Sequence, residues 1–174
     1  MPRNIILAQP LINGTTLPNF CLSGLDHQRV CLPDLRGEKG TVISFVHGTW
    51  CPYCVRQLMR LNQLAPQLYQ RNVGIVCVTQ DTPESLSAFQ HSAQPSLRYP
   101  LLADSTPSLS HDFGVFDPDH NSPYVAVFYA NTADEVQYSD VSSDPDCYPN
   151  LLRLLEVIDY GPRGNPPLPT IQNS

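Results

Sequence analysis

Apolar positions along the chain recur with two different periods, and the switches between them outline a fold. Within Thr16 to Leu35, Phe20 and Leu22 lie two apart, a turn-like Ser23-Gly24-Leu25-Asp26-His27 follows, and Val30 and Leu32 resume the alternation. That pattern predicts a β-hairpin. Thr41-Val42-Ile43-Ser44-Phe45-Val46 is a short β-branched run, as expected of a strand buried on both faces. Beyond it the period changes. Val55, Leu58, Met59, Asn62, Ala65, Leu68 and Tyr69 fall at helical spacing. Pro52 suits the first turn of that helix, where a missing N–H costs nothing, and Pro66 predicts a kink or interruption.

The alternation continues. Val73 to Thr79 reads as a second buried strand. A helix follows from Pro83 to His91 with Thr82 as N-cap. Leu101-Leu102-Ala103 is a short extended piece, Pro107 to His111 a short helix, and Tyr124 to Tyr129 a third buried strand. After a turn at Asn131 to Asp134, Val136 to Ser139 reads as an edge strand. Asp144 or Asp146 is the expected cap of a last helix that runs to Tyr160 and ends at Gly161-Pro162. Strand–helix–strand order implies parallel pairing, and the closing hairpin adds antiparallel strands. The expectation is a single α/β domain over residues 1–160, followed by a Pro-, Gly- and Asn-rich tail at 161–174 that lies extended on the surface or is disordered.

Composition narrows the function. The 174 residues amount to one ordinary domain, and 41% hydrophobic with only 15% charged residues fits a packed core. The net charge of −6 comes without any basic run, which argues against a nucleic-acid binder. No stretch approaches the roughly 18 apolar residues of a membrane helix. Ile5 to Ala8 is too short for the apolar core of a signal peptide. The sequence therefore predicts a soluble cytoplasmic protein without membrane or nucleic-acid partners. Six cysteines are too sparse for a secreted disulfide scaffold. A close pair in the cytosol points instead to catalysis, redox sensing or metal binding.

That pair is Cys51 and Cys54, in the run Gly48-Thr49-Trp50-Cys51-Pro52-Tyr53-Cys54, between a buried strand and an amphipathic helix. Unpaired backbone N–H groups and the helix dipole favour thiolate over thiol at such a position. Cys-X-X-Cys motifs accordingly have nucleophiles with pKa values of about 3.5 to 7.5. By position, Cys51 is the attacking thiol and Cys54, one turn later, the thiol that resolves a mixed disulfide. A structural zinc site needs four ligands, and the sequence offers no second close Cys or His pair, so no metal and no organic cofactor is expected. Trp50 shields the thiols and offers a contact surface. His47 either tunes the nearby thiolate or is an ordinary strand-end histidine. Arg56 and Arg60 read as exposed surface charges. Cys21 and Cys31, placed symmetrically about the hairpin turn, read as small apolar residues, with a cross-strand pairing the less favoured alternative. Cys77 reads as buried and inert. His27, His91, His111 and His120 carry no assigned role.

The run Trp50-Cys51-Pro52-Tyr53-Cys54 resembles the active site of the thioredoxin superfamily. Residues 18–160 resemble its AhpC/TSA, or peroxiredoxin-like, branch. The matching pieces are Asp34-Leu35-Arg36-Gly37, Val78-Thr79-Gln80-Asp81, Tyr99-Pro100-Leu101-Leu102-Ala103-Asp104, Phe113-Gly114-Val115 and the strand after Pro123. The resemblance implies a thioredoxin-like fold, a central mixed sheet with helices on both faces. It implies a thiol-dependent oxidoreductase, an antioxidant protein acting on a protein disulfide or a hydroperoxide and regenerated by thioredoxin or glutathione. It also implies that Pro52, Tyr53, Trp50 and Pro123, the last as a cis-proline facing the dithiol, contact substrate. Folds of this branch often form homodimers, although no apolar stripe marks an interface here.

Two chemistries occur in the branch. Aligned with the peroxiredoxin pattern Pro-X-X-X-Thr-X-X-Cys, Cys54 takes the peroxidatic position, Cys51 replaces the Thr and His47 the Pro. No arginine lies between Arg98 and Arg153 to orient a peroxide. These departures favour dithiol–disulfide exchange, with a true peroxidase using Cys54 as the alternative. In some peroxiredoxins a distant cysteine resolves the sulfenic acid, a position Cys147 could fill. A third reading is a copper-handling protein like the Sco family, which has a wider cysteine spacing and a distal histidine, for which His111 and His120 are available.

Overall fold

The computed structural model describes residues 9–92, 96–144 and 146–162. The predicted hairpin is present as β1 (Cys21–Ser23) and β2 (Arg29–Cys31), joined by a 3₁₀ turn over Leu25–His27. A one-turn helix, α1 (Leu32–Leu35), follows. The buried runs form β3 (Thr41–Phe45), β4 (Gly74–Thr79), β5 (Leu101–Ala103) and β8 (Val125–Ala130). A short ribbon, β6 (Phe116–Asp117) with β7 (Ser122–Pro123), precedes β8, and β9 (Val136–Ser142) follows it. The longer helices are α2 (Pro52–Gln70), α3 (Pro83–Ser92) and α5 (Leu151–Tyr160), with a short α4 (Ser108–Asp112).

Seven strands make one mixed sheet in the order β2-β1-β5-β4-β3-β8-β9. The β3–α2–β4 and β4–α3–β5 crossovers pair their strands in parallel, whereas β8 runs antiparallel to both β3 and β9. The hairpin joins antiparallel to β5 through Ser23 opposite Ala103. Alternate residues of the central strands then divide between two cores, as the period-two geometry of a strand requires. Val42, Val46, Ile75, Cys77, Val125 and Val127 pack with Leu58, Leu61, Ala65 and Leu68 of α2 and with Leu154 and Val157 of α5. Ile43, Phe45, Val76, Val78 and Phe128 face the other way, onto Leu32, Leu35, Leu109 and Phe113. The sheet thus has helices on both faces.

Three local expectations are corrected. α2 runs unbroken through Pro66. The proline deprives the Asn62 carbonyl of a helical partner, but Leu61, Leu64, Ala65 and Leu68 are all buried around it. That burial outweighs a local cost of about 3 kcal/mol. The cap of α5 is Asn150, whose side chain accepts a hydrogen bond from the Arg153 N–H at 3.0 Å, rather than Asp144 or Asp146. Thr82 does cap α3, its hydroxyl accepting from Ser85 N–H at 3.2 Å. The expected tail lies outside the described residues from position 163 onward.

The third correction concerns Cys21 and Cys31, which are joined by a disulfide. The antiparallel register sets them directly opposite, with Cα atoms 4.0 Å apart. Sequence spacing alone does not distinguish facing from neighbouring side chains. The bond closes a loop with a sequence separation of 10, for which loop entropy gives about 2–3 kcal/mol. The Cys21→Ser/Cys31→Ser protein is therefore expected to melt roughly 5–10 °C lower. Reductant should lower the melting temperature of the parent protein, as followed by circular dichroism, and leave that of the double variant unchanged.

Candidate active site

The dithiol sits where the central parallel strands end and α2 begins. β3 leaves the sheet at Phe45, and the segment to Cys51 is held by main-chain and side-chain bonds. Val46 N–H bonds the Val78 carbonyl at 3.1 Å, Gln80 N–H bonds the His47 carbonyl at 3.3 Å, and Cys51 N–H bonds the Gly48 carbonyl at 3.2 Å. The Asp81 carboxylate, at the end of β4, accepts from Thr49 N–H at 2.8 Å. Parallel pairing of β3 and β4 carries both strand ends to the same edge, which is why a residue 30 positions downstream of Cys51 fixes its loop. Asp81 belongs to the quoted Val78-Thr79-Gln80-Asp81 piece, but its role depends on that pairing.

Cys51 is the N-cap residue of α2 and Pro52 its first helical residue, as the sequence predicts. Cys54 lies one turn in, and its Sγ accepts a hydrogen bond from His47 N–H at 3.2 Å. The two thiols differ in access. Cys54 is 0% exposed and Cys51 8% exposed, beside Trp50 at 72% and Tyr53 at 42%. Pro52 is exposed as well. Both cysteines are thus buried, Cys51 slightly less so, and the residues on either side of Cys51 in the chain, Trp50 and Pro52, are exposed. Burial pushes the Cys54 thiol up to about 12, and the neighbouring Cys51 sulfur adds to this. The N–H groups of Gly48 and His47 pull the other way. Both cysteines are free thiols here.

The His47 ring closes the site from the strand side. One of its nitrogens and the two sulfurs all lie within 4.8 Å of one another. Burial lowers the His47 pKa, the charge of His120 lowers it further, and Asp117 opposes them. His120 itself is bound to Asp117 at 2.5 Å, which raises the His120 pKa. This acid–imidazole pair comes from β6 and the turn after it, the ribbon in which Pro123 is buried opposite Phe116. Sequence reasoning assigned His120 no role and missed Asp117, because nothing local ties residue 117 to residue 47. The three donors of His47, Cys51 and Cys54 fall one short of the four that a structural zinc site uses.

The remaining candidates are placed elsewhere. Cys77 is fully buried in β4 and burial raises its thiol pKa, in line with an inert residue. Cys147 is exposed beside Asp144, whose charge raises its thiol pKa. His111 stacks on Phe116 with ring centroids 4.1 Å apart. Arg56 is exposed as expected, but Arg60 is not a free surface charge. Its guanidinium lies 5.0 Å over the Tyr148 ring and donates to Gln57 Oε1 and the Pro149 carbonyl.

A family model described as the AhpC/TSA family matches residues 13–139. The chain belongs to the AhpC/TSA family. Thiol-disulfide oxidoreductase ResA of Geobacillus thermodenitrificans is 32% identical over 102 residues, 59% of this chain and 57% of that protein. The chain thus spans little more than half the length of that relative. The putative peroxiredoxin ycf42 of Trieres chinensis is 27% identical over 158 residues, 84% of this chain and 76% of that protein. Among solved structures, Mycobacterium tuberculosis AhpC superposes with a TM-score of 0.76 at 18% identity, covering 87% of this chain and 93% of that one. Enterococcus faecalis AhpC gives 0.76 at 24% identity, covering 91% and 100%. The fold is therefore the thioredoxin-like fold of the peroxiredoxins, and the named relatives are thiol-dependent oxidoreductases. Among the described residues no helix is long and apolar enough to cross a membrane.

Proposed function

We propose that this AhpC/TSA protein is a thiol–disulfide oxidoreductase in which Cys51 attacks a protein disulfide and Cys54 resolves the product. The observation that carries the reading is the asymmetry of the two thiols. Burial raises the Cys54 thiol pKa, and the neighbouring Cys51 sulfur raises it further, so Cys54 is held as the protonated thiol. Cys51, at the helix start and next to the exposed Trp50 and Tyr53, is the sulfur a partner reaches first. Attack by the Cys51 thiolate breaks the substrate S–S bond and forms a mixed disulfide. Cys54 then attacks Cys51 Sγ, closing the Cys51–Cys54 disulfide and releasing the reduced substrate. Two electrons pass to the substrate, and a thioredoxin- or glutathione-type thiol returns them. Trp50, Pro52 and Tyr53 supply the contact surface, with Pro123 from the β6–β7 ribbon as a further contact.

The family alignment with Cys54 in the peroxidatic position makes peroxide reduction the competing chemistry. A fully buried thiol whose pKa is raised by that burial is a poor peroxide nucleophile. Trapping separates the two. The Cys54→Ser protein, mixed with a disulfide substrate, is expected to accumulate a mixed disulfide on Cys51, visible by intact and peptide mass spectrometry. A peroxide pulse that instead leaves sulfenic acid on Cys54 of the Cys51→Ser protein, at rates matching hydroperoxide turnover, would overturn the assignment.

A further inference from the structure

Resolution requires a proton to leave Cys54, and that sulfur is fully buried. Solvent hydroxide does not reach it directly, so the proton needs an acceptor within the site. We propose that the His47 imidazole is the base that takes this proton as Cys54 attacks Cys51. The inference rests on the disulfide-exchange reading above and assigns its second step.

Three observations support it. A ring nitrogen of His47 lies within 4.8 Å of both sulfurs, a distance closed by a small side-chain rotation or one bridging water. The His47 backbone is anchored on both sides of the site: its N–H donates to Cys54 Sγ at 3.2 Å and its carbonyl accepts from Gln80 N–H at 3.3 Å. The ring is held neutral, hence able to accept, by its partial burial and by the positive charge of His120.

The charged and titratable groups around it are Cys51 at the N-cap of α2, Cys54 within α2, Asp117 from β6, His120 from the turn that follows, and Asp81 after β4. Cys77, on β4, is fully buried, and burial first and the neighbouring Cys54 next raise its thiol pKa, so it accepts no proton from the site. Asp81 is the other possible acceptor by position, but its carboxylate already binds Thr49 N–H at 2.8 Å. His120 is bound to Asp117 and largely solvent-exposed. His47 alone combines reach with a neutral ring.

The Cys54 S–H bond breaks and its proton passes to the His47 ring. The Cys54 sulfur pair forms the bond to Cys51 Sγ, and the Cys51–substrate S–S bond breaks. The leaving thiolate takes a proton from the imidazolium or from solvent, which restores neutral His47. No further oxidant or reductant enters.

The test uses dithiobis(nitrobenzoate), whose leaving thiolate is coloured, in stopped flow with the full chain in a Cys147→Ser background to silence the exposed third thiol. Attack by Cys51 releases the first thiolate, and resolution by Cys54 the second. His47→Gln is expected to leave the first phase within about 3-fold and to slow the second by about 10²-fold or more. In the parent the second phase should rise with pH as the His47 ring loses its proton, below the ordinary histidine range, and then level off. In the variant it should keep rising without levelling off throughout the range up to about pH 9, with Cys54 ionisation alone limiting. Added imidazole should restore the second phase in His47→Ala. An unchanged second phase and pH profile in both variants overturns the proposal, as does equal slowing of both phases. Failure of the underlying reading looks different: the parent protein itself would release no second thiolate.

Discussion

Cys51→Ser is expected to lower disulfide-reducing turnover by at least ~10³-fold, measured as insulin reduction with a thiol reductant in excess. A serine hydroxyl is not ionised at neutral pH, so the attacking atom is lost outright. Cys54 does not substitute for it, because its sulfur is 0% exposed and its thiol is raised to about 12. Cys54→Ser behaves differently. The first attack survives and the cycle stalls at the mixed disulfide, so turnover falls to the rate at which the external thiol resolves it. Raising the reductant concentration should therefore rescue Cys54→Ser and leave Cys51→Ser inactive. A Cys51→Ser protein that keeps a tenth or more of the parent activity removes Cys51 from the role of nucleophile.

The second large effect is on stability. Phe45→Ala is expected to cost about 3–5 kcal/mol, out of a total of roughly 5–15 kcal/mol for a domain. Phe45 is fully buried at the end of β3. Its ring lies 4.9 Å from that of Phe113 and 6.1 Å from that of Phe128, and those two are 5.1 Å apart. Truncation opens a hole among three rings contributed by β3, β8 and the residue after α4, where no single element is able to collapse into it. The melting temperature should drop by roughly 10–15 °C. In urea, the midpoint should fall with little change in slope. Phe45→Leu, which refills part of the space, should lose less. A shift below about 1 kcal/mol would mean that the cluster relaxes around the deletion and that Phe45 does not anchor this end of β3.

The fold was largely legible because its signals are local. β3, β4 and β8 are continuous apolar runs, α2 opens with Pro52 and follows a 3.6-residue period, and α3 and α5 end near their predicted limits. The Cys51–Cys54 spacing between a buried strand and a helix was enough to locate the candidate site. Errors fell where two local signals compete. A proline inside an apolar helix, and Asp144, Asp146 and Asn150 as rival caps within seven residues, are decided by what packs against them. The β6–β7 ribbon was missed because two-residue strands carry no periodicity.

The chain by itself determined which residues form the dithiol, which of the two opens the helix, and the alternation that makes a mixed sheet with two apolar faces. These follow from side-chain period, proline chemistry and the unpaired N–H groups of a helix start, all set within a few residues. Tertiary structure alone decided the burial that separates Cys51 from Cys54, the approach of His47 to both sulfurs, the Asp81 anchor, the Asp117–His120 pair and the Cys21–Cys31 bond. Each of these depends on strand register and on packing between segments distant in sequence, where a shift of one residue would turn a side chain to the opposite face.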